Sequence, residues 1–577
     1  MQSHIISIDM RLRRSGSLLL TLTALPGALI LAQRPARRPL STAETADITR
    51  LVMLEDRREL DEAAIGQALR STHPEVRRRA AMAIGRIAKP AGGALLTAAR
   101  LDSDTAVVAA VAFATGQLKD PATVGWLGEL LTSPNTTPDV AREAARSLGK
   151  IVVPESRAVL ARYLSGAPDT QAARPPVGEA LLSIGRFTTR DDLAPIIRWT
   201  KTSDAELRWR ATWALFRPRD PAAMPELLRL SADPSADVKF WAMRGLGPIP
   251  AGRGREGAAP VTTPTVDQSL LTARLREGVR DADRRVRTEA LRALSQYDDE
   301  ESFKVIINAL DSDDTWMSVS AAEAMSRFQT RAAVVVPRLV AATQPSKPLA
   351  LRITGLTPLS TLAPEAALEP ATTLARESNA TARAAARQAL NRLGDAGRAR
   401  LDALAKENPQ ATAPPARTSA PARTAADYQK IVERWIVPDY NGAARPRAIL
   451  DTPRGQIEVE LNPGDAPLGV EYFVAVVTSG DIGGTEFGRV VPNFVAQQRA
   501  IRADMRLRDE VSRLGLLRGT LSWASAGLDT GNPGYTLGST PQPHNEGNFT
   551  ALGRVVAGMD VVDRLELGDK ITGARMK

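Results

Sequence analysis

The stretch Phe487-Gly488-Arg489-Val490-Val491-Pro492-Asn493-Phe494-Val495-Ala496-Gln497 decides how the C-terminal part of this chain is read. Eleven residues of otherwise apolar, strand-like sequence carry one guanidinium, one large apolar ring and one side-chain amide. Such a trio suits a pocket that holds a compact apolar ring while two polar groups address the amide beside it.

Around this stretch the hydrophobic pattern has period two, the signature of half-buried strands. Ala448 to Thr452 and Gln456 to Leu461 read as a hairpin about Pro453-Arg454-Gly455, and Asn462 to Pro467 as a turn into a helix at Gly469 to Ser479. Further strands are expected near Thr485 to Val491 and Gly519 to Ala524.

The remainder of the chain repeats itself. From about Leu51 to Leu404 an acidic or Pro-containing turn is followed by Val-x-x-x-Ala-x-x-Ala-Leu/Ile-Gly, with anchors at Val76, Val107, Val140, Leu207, Val238, Val286 and Val319. Anchor spacings of 31 and 33 residues recur, and periods in this range mark solenoids. Asp or Ser at the turn suits a helix N-cap, and the Val/Ala/Leu stripe gives each helix one apolar face. The trailing Gly is expected to end the helix. No helix pair buries its stripe alone, so the pairs stack. The array resembles HEAT repeats of the short type, about ten of them.

Composition narrows the chemistry. The chain has 577 residues, no cysteine and three histidines, His4, His73 and His544. Disulfides and thiolate metal sites are excluded, and a His-based metal site or a Ser-His-Asp triad nearly so, so no metal or cofactor is expected. Of the formal charge of +10, residues 445–577 contribute −1 (15 basic, 16 acidic), which places +11 in the first 444. No nucleic-acid motif accompanies that charge, and it reads as arginine-rich helix surface.

Arg11, Arg13 and Arg14 precede an apolar run from Ser17 to Leu31, with Ala28 and Ala32 placed for cleavage. This reads as an export signal, with an uncleaved membrane anchor as the alternative. The domain reading is therefore a signal at 1–32, a basic arm at 33–50, a helical solenoid at 51–407, a Pro/Ala-rich linker at 408–426, a short helix and connection at 427–444, and a β-rich domain at 445–577. Within the repeats Trp213 has core spacing, Trp209 and Trp316 read as packing residues with exposed anchors as the alternative, and His73 as a cap or surface residue.

The quoted stretch resembles the core signature of cyclophilins, F-H-R-V-x-P-x-F-x-x-Q-G-G-D. Three further elements follow the family in order: Pro463 to Phe473, Arg518 to Ala524, and Phe549 to Val562. The resemblance covers about 130 residues, Ala448 to Lys577. It implies a β-barrel with flanking helices and peptidyl-prolyl isomerase activity on clients containing X-Pro. It assigns Arg489 as the catalytic donor, Gln497 as the group steadying substrate backbone, and Phe494 as the floor of the proline pocket. Val495, Ala524, Ser525, Tyr535, Thr536, His544, Asn545 and Phe549 fall at substrate-binding positions.

The chain also departs from the family. Gly488 replaces the His of F-H-R, and Gln498-Arg499-Ala500 replaces G-G-D ahead of a shorter, charged loop, Ile501 to Asp509. Thr536 stands where an aromatic packs the proline ring, Asn545 where Leu is usual, and Ser525 where an Asn contacts substrate. Two functions remain open on this reading: an exported isomerase whose repeats bind a protein partner, or a scaffold whose cyclophilin-like domain binds proline peptides without catalysis. A nucleic-acid-binding scaffold draws on the N-terminal charge alone.

Overall fold

In the computed structural model, residues 38–248, 266–407, 423–501 and 507–577 are described. The export signal, most of the Gly/Pro-rich insertion after Pro248, the linker as far as residue 422 and part of the charged loop lie outside them. No helix among the described residues is long and apolar enough to cross a membrane.

Among the described residues, twenty-two α-helices between Thr42 and Glu407 form eleven consecutive pairs. The turn chemistry is as the sequence expects: Asp104, Asp204, Asp283 and Asp314 each accept backbone N–H bonds as N-caps. Adjacent pairs are also stapled by charge. Arg77 reaches Asp102 at 2.6 Å, Arg208 reaches Asp233 at 2.9 Å, and Arg287 reaches Asp314 at 2.9 Å.

Three glycines of the repeat do something other than end helices. Gly85, Gly116 and Gly149 lie inside the last turn, while the left-handed caps are Ala88, Lys119 and Val152. A Cβ on Gly85 would come within 2.7 Å of Ala114 Cα, and one on Gly149 within 2.8 Å of Ser183 Cα. Glycine is required there because the first helices of successive pairs touch backbone to backbone. Trp209 and Trp316, each 3% exposed, are buried rather than surface anchors. His73 is a buried N-cap whose Nδ1 accepts from the Glu75 amide at 3.1 Å.

The C-terminal domain is one eight-stranded sheet: β1 (Arg447–Thr452), β2 (Gly455–Leu461), β3 (Phe487–Val491), β4 (Val495–Gln498), β5 (Thr520–Ala524), β6 (Asn532–Gly538), β7 (Ala551–Ala557) and β8 (Gly573–Met576). Their order is β3-β4-β6-β5-β7-β2-β1-β8, with every pair antiparallel. The sheet curls until its edges meet: Phe487 N–H donates to Asp569 O at 2.8 Å and Ile571 N–H to Thr485 O at 2.8 Å. Such closure removes the open strand edges. The helix Pro467–Ser479 packs Val470, Phe473 and Val477 into the interior.

Solenoid and barrel form one compact unit from Leu40 to Lys577. The barrel rests on the first helices of the pairs, gripped largely through its backbone carbonyls. Arg86 donates to Val511 O at 3.1 Å and to Asp465 O, Arg186 to Pro543 O at 3.0 Å, and Arg292 to Pro492 O at 2.9 Å. Farther along, Thr381 Oγ1 donates to Gly488 O at 2.9 Å. Residues 425–440 join the two parts: Tyr428 OH donates to Asp56 at 2.7 Å, and the Trp435 indole to Glu471 at 2.5 Å. Several solenoid arginines therefore grip the chain's own barrel.

Candidate active site

The site is built on the β3–β4 hairpin. Val491 pairs with Val495, leaving Pro492, Asn493 and Phe494 as its loop. Asn493 takes the left-handed conformation, φ 58°, which Asn tolerates better than most residues. That turn carries the half-buried ring of Phe494.

Cross-strand register aligns the polar groups. Arg489 lies opposite Gln497, Gln497 opposite Thr536, and Thr536 opposite Ser522, so the four side chains form a row across β3, β4, β6 and β5. Arg489 Nη1 donates to Gln497 Oε1 at 3.3 Å, which leaves the Gln497 N–H groups to face a ligand. The hydroxyls of Ser522 and Thr536 are 2.7 Å apart. Arg489 Cζ stands 5.5 Å from the centroid of Phe494. The guanidinium is exposed at one edge, and partial burial lowers its pKa.

His544 completes the rim. Its ring stacks on Phe494, with centroids 6.5 Å apart and planes at 21°. Loss of water around the imidazole, then the charges of Arg217, Arg244 and Arg186, hold its pKa down at about 4, so it is neutral at pH 7. Gln542 ties this turn to the hairpin through Phe494 O at 3.1 Å and accepts from Asn545 at 3.0 Å.

Arg489, Gln497, Phe494, Thr536 and His544 are thus brought together. Val495 and Ala524 are 4% exposed, in the strands beneath this face. Phe549 is half-buried just ahead of β7. Ser525 turns its hydroxyl to Gly527 O and Thr530 within its own loop. Tyr535 is not part of the group. Its ring is fully buried against Phe473, centroids 5.6 Å apart, and burial pushes its phenol pKa up.

Two departures from the family pattern compensate each other. A Cβ on Gly488 would lie 2.5 Å from Arg499 Cγ, so the missing His side chain makes way for Arg499. Arg499 then pairs with Glu486 at 2.5 Å and bonds Thr381 of the solenoid. The supports from Arg285, Glu289 and Arg292 were invisible in sequence, because they lie about two hundred residues upstream of the hairpin.

A closed antiparallel barrel thus presents an arginine, a glutamine amide and an apolar ring on one face, carried on a helical-repeat scaffold. Residues 448–576 match the family described as cyclophilin type peptidyl-prolyl cis-trans isomerase, and residues 62–135, 93–174 and 271–349 match HEAT repeats. A peptidyl-prolyl cis-trans isomerase of Synechococcus elongatus is 32% identical over 138 residues, covering 22% of this chain and 95% of the relative. Peptidyl-prolyl cis-trans isomerase B of Bacillus subtilis is 31% identical, covering 21% and 91%. A solved Cryptosporidium parvum cyclophilin aligns at 19% identity over 23% of this chain and 98% of its own, with a TM-score of 0.22. The chain belongs to the cyclophilin-type peptidyl-prolyl cis-trans isomerase family, and HEAT repeats precede its isomerase domain.

Proposed function

We propose that the protein is an exported isomerase acting on X-Pro bonds of protein clients, with the HEAT array as the cradle that fixes the barrel and frames its open face. The row Arg489–Gln497–Thr536 beside the Phe494 ring carries the reading. An amide's rotational barrier of about 18–20 kcal/mol reflects C–N double-bond character. A proline ring seated on Phe494 brings its amide against Arg489. A donor there draws the nitrogen lone pair out of resonance, and an apolar surround strengthens the bond. Gln497 holds the neighbouring backbone. Neither acid, base nor nucleophile is needed, and a 10⁴-fold acceleration requires only about 5–6 kcal/mol.

The charged segment Arg11 to Arg14 ahead of the apolar run Ser17 to Leu31 supports export. The sequence of the mature N-terminus, determined on protein recovered from expressing cells, tests that part.

The activity is tested with the full chain, because barrel and solenoid share an extensive interface. Wild type is expected to accelerate cis-to-trans conversion of a short X-Pro peptide, and Arg489→Ala to lose about 10²–10³-fold of that rate. A folded wild type that binds the peptide without accelerating it favours the second reading, a proline-peptide binder. The replacement of the pocket aromatic by Thr536 motivates that reading.

A further inference from the structure

The grip of the solenoid on the barrel follows a register that breaks beside the active site. Ten residues after the anchors Val76, Val107, Val140 and Leu207 come Arg86, Gln117, Lys150 and Arg217; Arg186 holds the same place in the intervening repeat. Arg86 bonds Val511 O and Asp465 O, Gln117 bonds Gly547 O at 3.3 Å, Lys150 lies against Gly547, and Arg186 bonds Pro543 O and Glu546 O. Arg217 is the next rung. It has no ion-pair partner among the described residues, and its buried Nε has no hydrogen-bond acceptor. Among the described residues, no hydrogen bond to the barrel comes from its helix, Ala205–Phe216, or from the next, Ala236–Gly245; contacts resume at Arg284.

In this gap lies a cavity of about 630 Å³. Its wall carries five arginines, Arg190, Arg217, Arg219, Arg244 and Arg292, against one acid, Glu289. Glu289 is already committed to Arg244 at 3.1 Å and to the Asn493 amide at 2.9 Å. The cavity is lined by solenoid residues and connects to the hairpin bearing Phe494 through Arg292. Arg292 holds Pro492 O, two residues before Phe494, and Arg217 and Arg244 are the leading charges acting on His544, which stacks on Phe494. Four of these guanidinium groups have partners already, Arg244 and Arg292 on Glu289, Arg219 on the carbonyls of Gly247 and Pro248, and Arg190 on Arg219 O, yet five cations around one acid still make a binding field for anions, above all for carboxylates, which match the guanidinium fork.

We propose that this cavity extends the isomerase site and selects client segments bearing Asp or Glu within a few residues of the proline, with Arg217 as the principal carboxylate donor. The proposal rests on the isomerase reading for what occupies the Phe494 pocket. The carboxylate supplies to Arg217 the acceptor that barrel carbonyls supply to Arg86 and Arg186. A solenoid residue thereby sets substrate preference for a site on another domain.

The test uses the full chain and peptides of one sequence, with the residues flanking proline as Glu, Gln or Lys. Binding is followed by fluorescence anisotropy and turnover by isomerisation rate, each at low and high salt. Glu peptides are expected to bind about tenfold more tightly than Gln peptides and Lys peptides more weakly still, with the spread narrowing in high salt. In Arg217→Gln the Glu-to-Gln ratio falls toward one. Equal binding of Glu and Gln peptides by wild type overturns the proposal, as does a Glu preference that survives in Arg217→Gln and Arg244→Gln. If a variant fails to fold, the wild-type peptide and salt series decides alone. Glu-selective binding with no turnover of any peptide leaves the cavity assignment standing and removes the isomerase reading instead.

Discussion

Asn493, at the tip of the β3–β4 hairpin, donates its side-chain amide to Glu289 of the solenoid at 2.9 Å and to Arg285 O at 2.9 Å. The two partners are 204 residues apart in sequence, and both Asn493 and Glu289 are buried. One side chain thus permits the left-handed turn and fastens the loop bearing Phe494 to the repeat array. Replacing it separates those tasks. Asn493→Gly keeps the turn and loses the fastening, while Asn493→Ala also strains the backbone. Each is expected to cost about 1–3 kcal/mol in urea unfolding, with Ala the worse, because a buried carboxylate loses a donor. Isomerase kcat/KM should fall with both; an unchanged value in Asn493→Gly would show that the clamp does not position Phe494.

The aromatic wall that Thr536 replaces can be restored. Thr536→Phe adds apolar surface beside Gln497 and Phe494 and breaks the contact with Ser522. Burying that ring against a proline is worth about 1–2 kcal/mol, so KM for an X-Pro peptide should drop about tenfold. A KM that does not fall would mean the proline ring sits elsewhere.

Gly488 and Arg499 should behave as a unit. Gly488→Ala drives a methyl into Arg499 and displaces it from Glu486 and Thr381, with an expected cost of about 1–3 kcal/mol. Combining it with Arg499→Ala should cost much less than the sum of the single changes in a double-mutant cycle. Strict additivity would sever the two departures from each other.

Glu510 gives the fold a defined pH response. Burial pushes its carboxyl up to about 7, against the pull of Arg86 and the Leu468 and Gly469 N–H groups, which donate to it at 3.0 and 2.7 Å. In the unfolded chain it titrates near 4.5. Between these values the folded chain keeps a proton that the unfolded chain has released, so this group's contribution falls as pH rises from about 4.5 to 7. The total is about 3 kcal/mol. The stability difference between wild type and Glu510→Gln, measured by urea unfolding, should grow across that window in favour of Gln and be flat outside it. A difference independent of pH would contradict the assignment.

Much of this was legible in the chain. Repeat spacing gave the helical pairs because every pair buries the same stripe, and strand alternation gave the barrel because register follows from a period of two. The motif around Arg489 pointed to the candidate site because its residues are neighbours in sequence or across one hairpin. Two readings failed for a shared reason. Gly85 and Gly149 look like helix stops until the neighbouring helix is seen pressing on them. Tyr535 looks like a pocket residue until the curl of the sheet turns it inward onto Phe473.

The sequence by itself determined which elements form and which side chains share a face, since both follow from local periodicity and from pairing across short turns. What the concave face of the solenoid holds was decided only by the tertiary structure. No local pattern tells Arg86 to seek the carbonyls of Asp465 and Val511, or Glu289 to seek Asn493, because each bond joins segments brought together only when the array and the barrel pack. The same packing leaves the Arg217 Nε without an acceptor among the described residues. Backbone carbonyls carry no sequence signature, so the contacts that use them emerge only in three dimensions.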